Sequence, residues 1–215
     1  MLTGAMLTVV EQEVYLGSLL SSAGSAAMSV TRRLGEARAA FWKICRIWKH
    51  ANITKHSKVQ IYMSCIVSKL LYSLDCECLR SAERKRLDAF HCQCLRAICR
   101  IPHSMLSHIT NVEVLAASES QPLTSILDKR QLLLFGKIAT LPDSSTLRAS
   151  LFQPGSVLPK QLNGPRKQGR PRLTWATVQH SRVLEFFNGS QNAVEQYFLD
   201  KNNADTSWAH IVHNH

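Results

Sequence analysis

Apolar residues recur every three or four positions along much of this chain, which is the spacing of one helix face. The first such run contains Val30, Leu34, Ala37, Phe41, Ile44 and Trp48. This pattern predicts an amphipathic helix that buries one stripe and exposes the opposite side. We therefore expect helices that hold together through their apolar faces.

A second helix is predicted from about Thr54 to Leu74. Its main apolar stripe contains Val59, Tyr62, Met63, Ile66 and Leu70, and its other side carries Ile61, Cys65 and Tyr72. A helix that is apolar nearly all round is buried on several faces, so we expect this one at the centre of a bundle. Core packing is the expected fate of both tyrosines, although aromatic rings can also stack on bases.

A third helix is predicted to begin with Ser81 as its N-cap and to end before Pro102. Its apolar face contains Leu87, Phe90, Cys94, Ile98 and Ile101. Thr110 and Glu113 then have capping-box spacing, and Pro122 suits the first turn of a further helix. These signals continue the helical pattern beyond the third stripe.

The two ends of the chain follow other patterns. Residues 1–21 alternate loosely between apolar and polar positions, which predicts a short β-hairpin that docks on the helices or borders a larger sheet. Proline and glycine cluster between Pro154 and Pro171, which is typical of a linker or an extended arm. Three short helical runs follow this segment.

The predicted fold class is mainly α, a helical bundle with a short N-terminal β-hairpin and a basic extended arm before a small C-terminal helical segment. The expected division is 1–21 for the hairpin, 22–150 for the bundle, 151–173 for the arm and 174–215 for the C-terminal segment.

Positive charge is concentrated in the predicted helices. The formal net charge is +11, and the segment Val30 to Arg100 holds fifteen Lys and Arg but five Asp and Glu. Such clustering favours a polyanionic partner, above all a phosphate backbone, over an anionic membrane surface. The cations expected to contact nucleic acid from the bundle are Arg32, Lys43, Arg46, Arg84, Lys85, Arg96 and Arg100.

The predicted arm adds a second basic segment. Residues 164–172 read Gly-Pro-Arg-Lys-Gln-Gly-Arg-Pro-Arg, and Gly-Arg-Pro fixes an extended backbone with basic side chains on either side. This resembles the DNA-binding AT-hook, with Gln168 where its first arginine stands. Non-specific phosphate contacts are therefore expected here, and a nuclear-import signal is equally compatible. The contacting residues would be Arg166, Lys167, Arg170 and Arg172.

The cysteines and histidines form no convincing site for chemistry. Cys92 and Cys94 fall two positions apart within a predicted helix, so their side chains diverge and cannot share one zinc ion. The sequence has no phosphate-binding Gly-rich loop and no Asp-Asp pair for two-metal catalysis. We expect no enzyme activity, no cofactor, no metal and no small-molecule substrate.

The seven cysteines occur without a secretory signal, which indicates a reducing compartment. The uncharged segment Val14–Thr31 is rich in serine and is a poor membrane span. We therefore expect an intracellular protein, nuclear or cytoplasmic, without a membrane partner.

Seven short motifs follow one another in a recognisable order. They are Tyr15-Leu16-Gly17-Ser18, Leu70-Leu71-Tyr72, Arg86-Leu87-Asp88-Ala89-Phe90, Cys94-Leu95-Arg96, Phe135-Gly136, Gly169-Arg170-Pro171-Arg172 with Trp175, and Ala204-Asp205 with Trp208. In this order they resemble the region downstream of the polymerase palm in non-LTR (LINE-type) retrotransposon reverse transcriptases.

The resemblance implies that residues 15–17 end the primer-grip region and that the helices to Leu141 form the thumb and the segment after it. In such enzymes these parts contact the template–primer duplex. Because the sequence holds no palm with a catalytic Asp pair, we expect a non-catalytic fragment that binds RNA, DNA or an RNA–DNA hybrid without sequence preference. The missing palm would be a further partner.

Three alternatives are also compatible with the sequence. The chain could be a helical protein–protein interaction module whose charges keep it in solution, or an inert remnant of a mobile element. It could also be a metal-binding module.

Overall fold

The structure, a computed structural model, describes residues 10–22, 26–48, 52–161, 173–200 and 204–214, with only the backbone for 204–207. The described chain is mainly helical and has a short antiparallel hairpin near its N-terminus. The predicted fold class is therefore confirmed.

The elements follow one another in a simple order. The hairpin pairs β1 (Gln12–Tyr15) with β2 (Ser18–Ser21). The next helices are α1 (Ala26–Trp48), α2 (Lys55–Tyr62), α3 (Ser68–Leu71), α4 (Ser81–Cys99), α5 (Ser104–Ser107) and α6 (Asn111–Ala117). The last helices are α7 (Leu123–Ala139), α8 (Thr146–Leu151), α9 (Trp175–Phe186), α10 (Gln191–Leu199) and α11 (Ala204–His213).

The chain divides into two compact units. Unit 1 contains Met1–Leu74 and Leu79–Ser120, and unit 2 contains Asp75–Cys78 and Gln121–His215. This boundary falls inside the bundle predicted for 22–150, because α7 and α8 pack within unit 2. The predicted division is therefore replaced by one that assigns α7 to the C-terminal helices.

The core of unit 1 contains the stripe predicted for α1. Phe41 is buried and packs edge-on against Trp48 and Tyr62, with ring centroids 6.2 and 5.7 Å away. The other buried members of the stripe are Val30, Leu34 and Ala37, and Ile44 is half-buried. The face of α1 that the spacing predicted to be buried is therefore buried, and α1 packs against α3 and α4.

The second predicted helix is interrupted. A π-helical turn at Met63–Val67 separates α2 from α3, which ends at Leu71. Tyr62 is fully buried, and its hydroxyl lies 2.9 Å from His91 Nδ1. Tyr72 is 51% exposed, so the expectation of core packing is wrong for this residue. Its backbone has already left the helical conformation, and its ring leaves the buried stripe.

The hairpin docks on the helices of unit 1 through its turn. The buried guanidinium of Arg33 donates to the Gly17 carbonyl and lies 4.9 Å from the centre of the Tyr72 ring. The Tyr72 hydroxyl donates to the Leu16 carbonyl at 3.0 Å. These polar contacts fix the hairpin, while its own residue Tyr15 stays exposed.

The helix ends follow local signals closely. The backbone N–H of Arg80 donates to Glu83 Oε2 at 2.8 Å, so Arg80 is the N-cap of α4 and Ser81 is its first residue, one position from the prediction. Helix α4 ends at Cys99 with Arg100 as its C-cap, before Pro102, as predicted. The capping box predicted at Thr110 and Glu113 is also confirmed, and it begins α6.

Unit 2 has its own apolar core around α7. The Phe135 ring packs edge-on against Phe152 and Phe198 with centroids 5.2 and 5.9 Å away. The Trp208 indole donates to the Leu132 carbonyl at 2.8 Å and covers Gly136. Helices α7 and α11 therefore approach closely where the glycine leaves room.

The beginning of the predicted linker is folded rather than extended. Phe152 and Val157 are buried, and Phe152 forms a β-bridge with Pro159. Arg148 is buried beneath this turn, where it donates to Asp143 Oδ1 at 2.8 Å and to the Ser156 carbonyl at 3.1 Å. Residues 162–172 of the predicted arm lie outside the described residues.

Among the helices that the structure describes, none has the length and apolar content needed to cross a bilayer.

Candidate nucleic-acid interface

Most of the excess positive charge belongs to unit 1. Its sequence holds fifteen Lys and Arg against seven Asp and Glu, whereas unit 2 holds eleven against eight. Unit 1 therefore carries +8 of the formal net charge of +11.

A groove runs between α1 and α4 of unit 1. It consists of two adjoining cavities of about 630 and 270 Å³ that share part of their lining. The shared residues are Arg38, Phe90, Gln93, Arg96 and His103. We call this feature, with both cavities, the α1–α4 groove.

The larger cavity is the basic end of the groove. Arg38 from α1, Arg86 from α4 and His103 from the loop before α5 line it, and all three are exposed. The Arg86 guanidinium donates to Thr31 Oγ1 at 3.0 Å, which holds this cation against α1. No Asp or Glu lines this end among the described residues.

The smaller cavity is the apolar end of the groove. Its lining includes Phe41, Trp42, Phe90, Ala97 and Ile101. Trp42 is 54% exposed, and its ring meets that of buried Phe41 edge-on with centroids 5.7 Å apart. The groove thus combines an accessible indole with neighbouring arginines.

The sequence prediction missed the groove residues Arg38, Arg86 and His103, although a signal for two of them exists. Arg38 directly follows Ala37 of the first stripe, and Arg86 directly precedes Leu87 of the third. Positions beside an apolar stripe border the seam where two helices pack. Cations at such positions on two contacting helices indicate a basic groove.

Arg96 was predicted to contact nucleic acid from outside the apolar face of its helix, but the structure buries its side chain. The side chain is only 7% exposed. Its guanidinium donates to the carbonyls of Pro102, at 3.0 Å, and of Ile109, and to Ser107 Oγ at 3.3 Å. Helix α6 packs on α4 and brings the preceding loop over Arg96. This cation lines the floor of the groove and holds that loop.

The other predicted bundle cations lie outside the groove lining. Four of them are exposed, namely Lys43, Arg46, Lys85 and Arg100, and Arg84 is half-buried. Arg32 is half-buried and forms an ion pair with Glu36 at 3.0 Å. This pair leaves its guanidinium less free to contact a phosphate. The four cations predicted on the arm, Arg166, Lys167, Arg170 and Arg172, lie outside the described residues.

The cysteines of α4 belong to the core rather than to a reactive site. Cys92 and Cys94 are buried, and burial raises the pKa of the Cys94 thiol to about 12. A thiol with this pKa is protonated at neutral pH, so it is a poor nucleophile and a poor metal ligand. Among the described residues, no cluster of three His, Cys, Asp or Glu side chains could hold a metal ion.

No family model matches this chain, and neither a curated protein nor a solved structure matches it. The family resemblance of the sequence motifs therefore stays a prediction. What the groove can bind follows from the charge, shape and exposure of its residues.

Proposed function

We propose that this protein binds nucleic acid through the α1–α4 groove, as a non-catalytic and sequence-nonspecific clamp. The observation that carries the proposal is the basic end of the groove, where three exposed basic side chains converge and no carboxylate lines the surface among the described residues. A phosphate backbone fits this surface, because each phosphate can accept hydrogen bonds from an arginine fork.

Counterion release supplies the driving force. Arginines that neutralise backbone phosphates displace condensed cations from the nucleic acid, which makes affinity fall steeply as salt rises. Phosphate contacts position the strand without reading its sequence. Binding should therefore be strong at low salt and nearly indifferent to base composition.

The sequence resemblance agrees with this location. Arg86, Ala89 and Phe90 belong to one of the motifs that resemble the thumb region of LINE-type reverse transcriptases, and Cys94 and Arg96 belong to the next. All five line the groove. A thumb-like role in holding template–primer is the biological setting that we propose for the clamp.

The proposal is tested by fluorescence anisotropy with a labelled duplex of mixed sequence. We expect affinity to fall by orders of magnitude between ~50 and 200 mM salt. The double variant Arg38→Ala/Arg86→Ala should bind roughly tenfold more weakly or worse, because its charge-assisted hydrogen bonds to phosphate are removed. The plot of log affinity against log salt should become shallower by about 0.9 for each phosphate that the variant no longer neutralises.

The matched control is Lys69→Ala/Lys137→Ala, which removes the same charge from exposed positions outside the groove lining. Its affinity should stay within about threefold of wild type, since only the long-range field changes. Equal reductions of affinity in both double variants would assign binding to net charge instead of the groove. A flat salt response of the wild-type protein would remove the proposed function.

A further inference from the structure

The apolar end of the α1–α4 groove is not explained by phosphate binding. A backbone clamp needs cations, yet this cavity of about 270 Å³ is lined largely by aromatic and aliphatic side chains. Trp42 leaves about half of its surface in water beside it. An exposed indole that forms one wall of an apolar recess offers a flat surface on which another ring can stack.

The charges beside this recess restrict what can occupy it. Arg38 lines both cavities, so any occupant of the apolar end meets positive charge directly. The occupant must therefore combine a flat apolar group with a nearby anionic group. A nucleotide has this combination, because each base is joined through its sugar to a phosphate.

We infer that the apolar end of the groove holds an unpaired nucleobase stacked on Trp42, while Arg38 and Arg86 hold the adjoining phosphates. The inference rests on the proposed function and adds the substrate class, which is single-stranded nucleic acid. In a duplex the bases are stacked inside the helix, and a blunt duplex leaves the recess empty. A single strand can fill both ends of the groove at once.

The geometry around Trp42 suits this role. Phe41 is buried and meets the Trp42 ring edge-on, which limits the orientations of the indole. Trp42 and Arg38 are four residues apart on α1 and therefore lie on the same side of the helix. Base and phosphate would thus bind to neighbouring side chains of one rigid element.

The test compares anisotropy of labelled oligo(dT) with that of a labelled blunt duplex. Wild-type protein should prefer the single strand. Trp42→Ala should weaken single-strand binding about tenfold, the usual effect of removing one stacked base, and leave duplex affinity within about twofold. Trp42→Phe keeps a ring at this position and should retain most of the single-strand affinity.

Ile47→Ala is the matched control, because Ile47 is 65% exposed on the same helix and does not line the groove. It should bind both ligands like wild type. Tryptophan fluorescence gives a second readout, since oligo(dT) should quench wild-type emission and quench that of Trp42→Phe much less. Circular dichroism of each variant verifies that the fold is retained.

Equal binding of Trp42→Ala and wild type to oligo(dT), or equal reductions for single strand and duplex, would overturn the inference and leave the proposed clamp standing. Competition by poly-glutamate as effective as that by oligo(dT) would also overturn it, because the groove would then recognise any acidic polymer. If wild-type protein binds neither nucleic acid at ~50 mM salt, the proposed function itself fails.

Discussion

The guanidinium of Arg96 lies under the loop that joins α4 to α6, where it is nearly out of contact with water. Three acceptors from this loop, two of them backbone carbonyls, receive its hydrogen bonds. A buried cation is costly unless its donors are satisfied, and here loop carbonyls supply the acceptors. The loop conformation and the buried charge therefore depend on each other.

Replacing Arg96 with methionine tests this dependence. Arg96→Met keeps much of the aliphatic bulk but leaves the loop carbonyls without their donor. We expect the free energy of unfolding to fall by about 3 kcal/mol, the scale of removing charge-assisted hydrogen bonds at a buried site. Urea denaturation followed by circular dichroism measures the change.

Arg100→Met is the control, because Arg100 follows the same helix and is exposed. Its effect should stay within about 0.5 kcal/mol, as for most surface substitutions. Equal stabilities of the two variants would mean that the loop does not need the guanidinium.

Helices α7 and α11 pack closely at Gly136. Among the described glycines, this one has the least room for a side chain. A Cβ atom built on Gly136 would lie 2.1 Å from Cδ1 of Trp208. The indole is held there by its hydrogen bond to the Leu132 carbonyl and by edge-on packing against Phe198, at a centroid distance of 5.1 Å. Glycine is therefore required by the space between the helices rather than by a special backbone conformation.

Gly136→Ala should consequently destabilise the protein by about 1 to 3 kcal/mol, the usual cost of overpacking a core. Gly35→Ala in α1 provides the opposite case, since no atom lies within 4 Å of the Cβ position there. That substitution should raise stability by up to ~1 kcal/mol through helix propensity. Thermal and urea unfolding of both variants measure the difference. A neutral result for Gly136→Ala would show that Trp208 can move aside.

For the chain as a whole, the dominant electrostatic fact is the net charge of +11. Like charges repel one another in the folded protein. At 0.1 M salt, the repulsion between exposed charges more than about 10 Å apart is largely screened. The described ion pairs, such as Arg32 with Glu36 and Arg182 with Asp128, offset only part of this repulsion.

Raising monovalent salt should therefore increase the thermal unfolding midpoint of the free protein while weakening its binding to nucleic acid. The two effects have opposite signs because salt screens repulsion within the protein and attraction between the partners. Differential scanning calorimetry and anisotropy over one salt series measure both. A midpoint that falls with salt would show that attractive ion pairs dominate the folded state.

Local features of this protein could be predicted because they depend on residues a few positions apart. The apolar stripe of α1, the capping box at Thr110 and the end of α4 before Pro102 are all of this kind. Helical periodicity and capping hydrogen bonds are complete within one or two turns, so distant segments hardly alter them.

The groove and the two units could not be predicted in this way. Whether a cation beside an apolar stripe is exposed, like Arg38, or buried, like Arg96, depends on which other helix covers that side. The assignment of α7 to unit 2 likewise follows from its packing against α9, α10 and α11. An amphipathic sequence dictates that one face of a helix is buried. The helix that covers this face comes from a remote part of the chain. That helix determines which polar residues lie together on the surface.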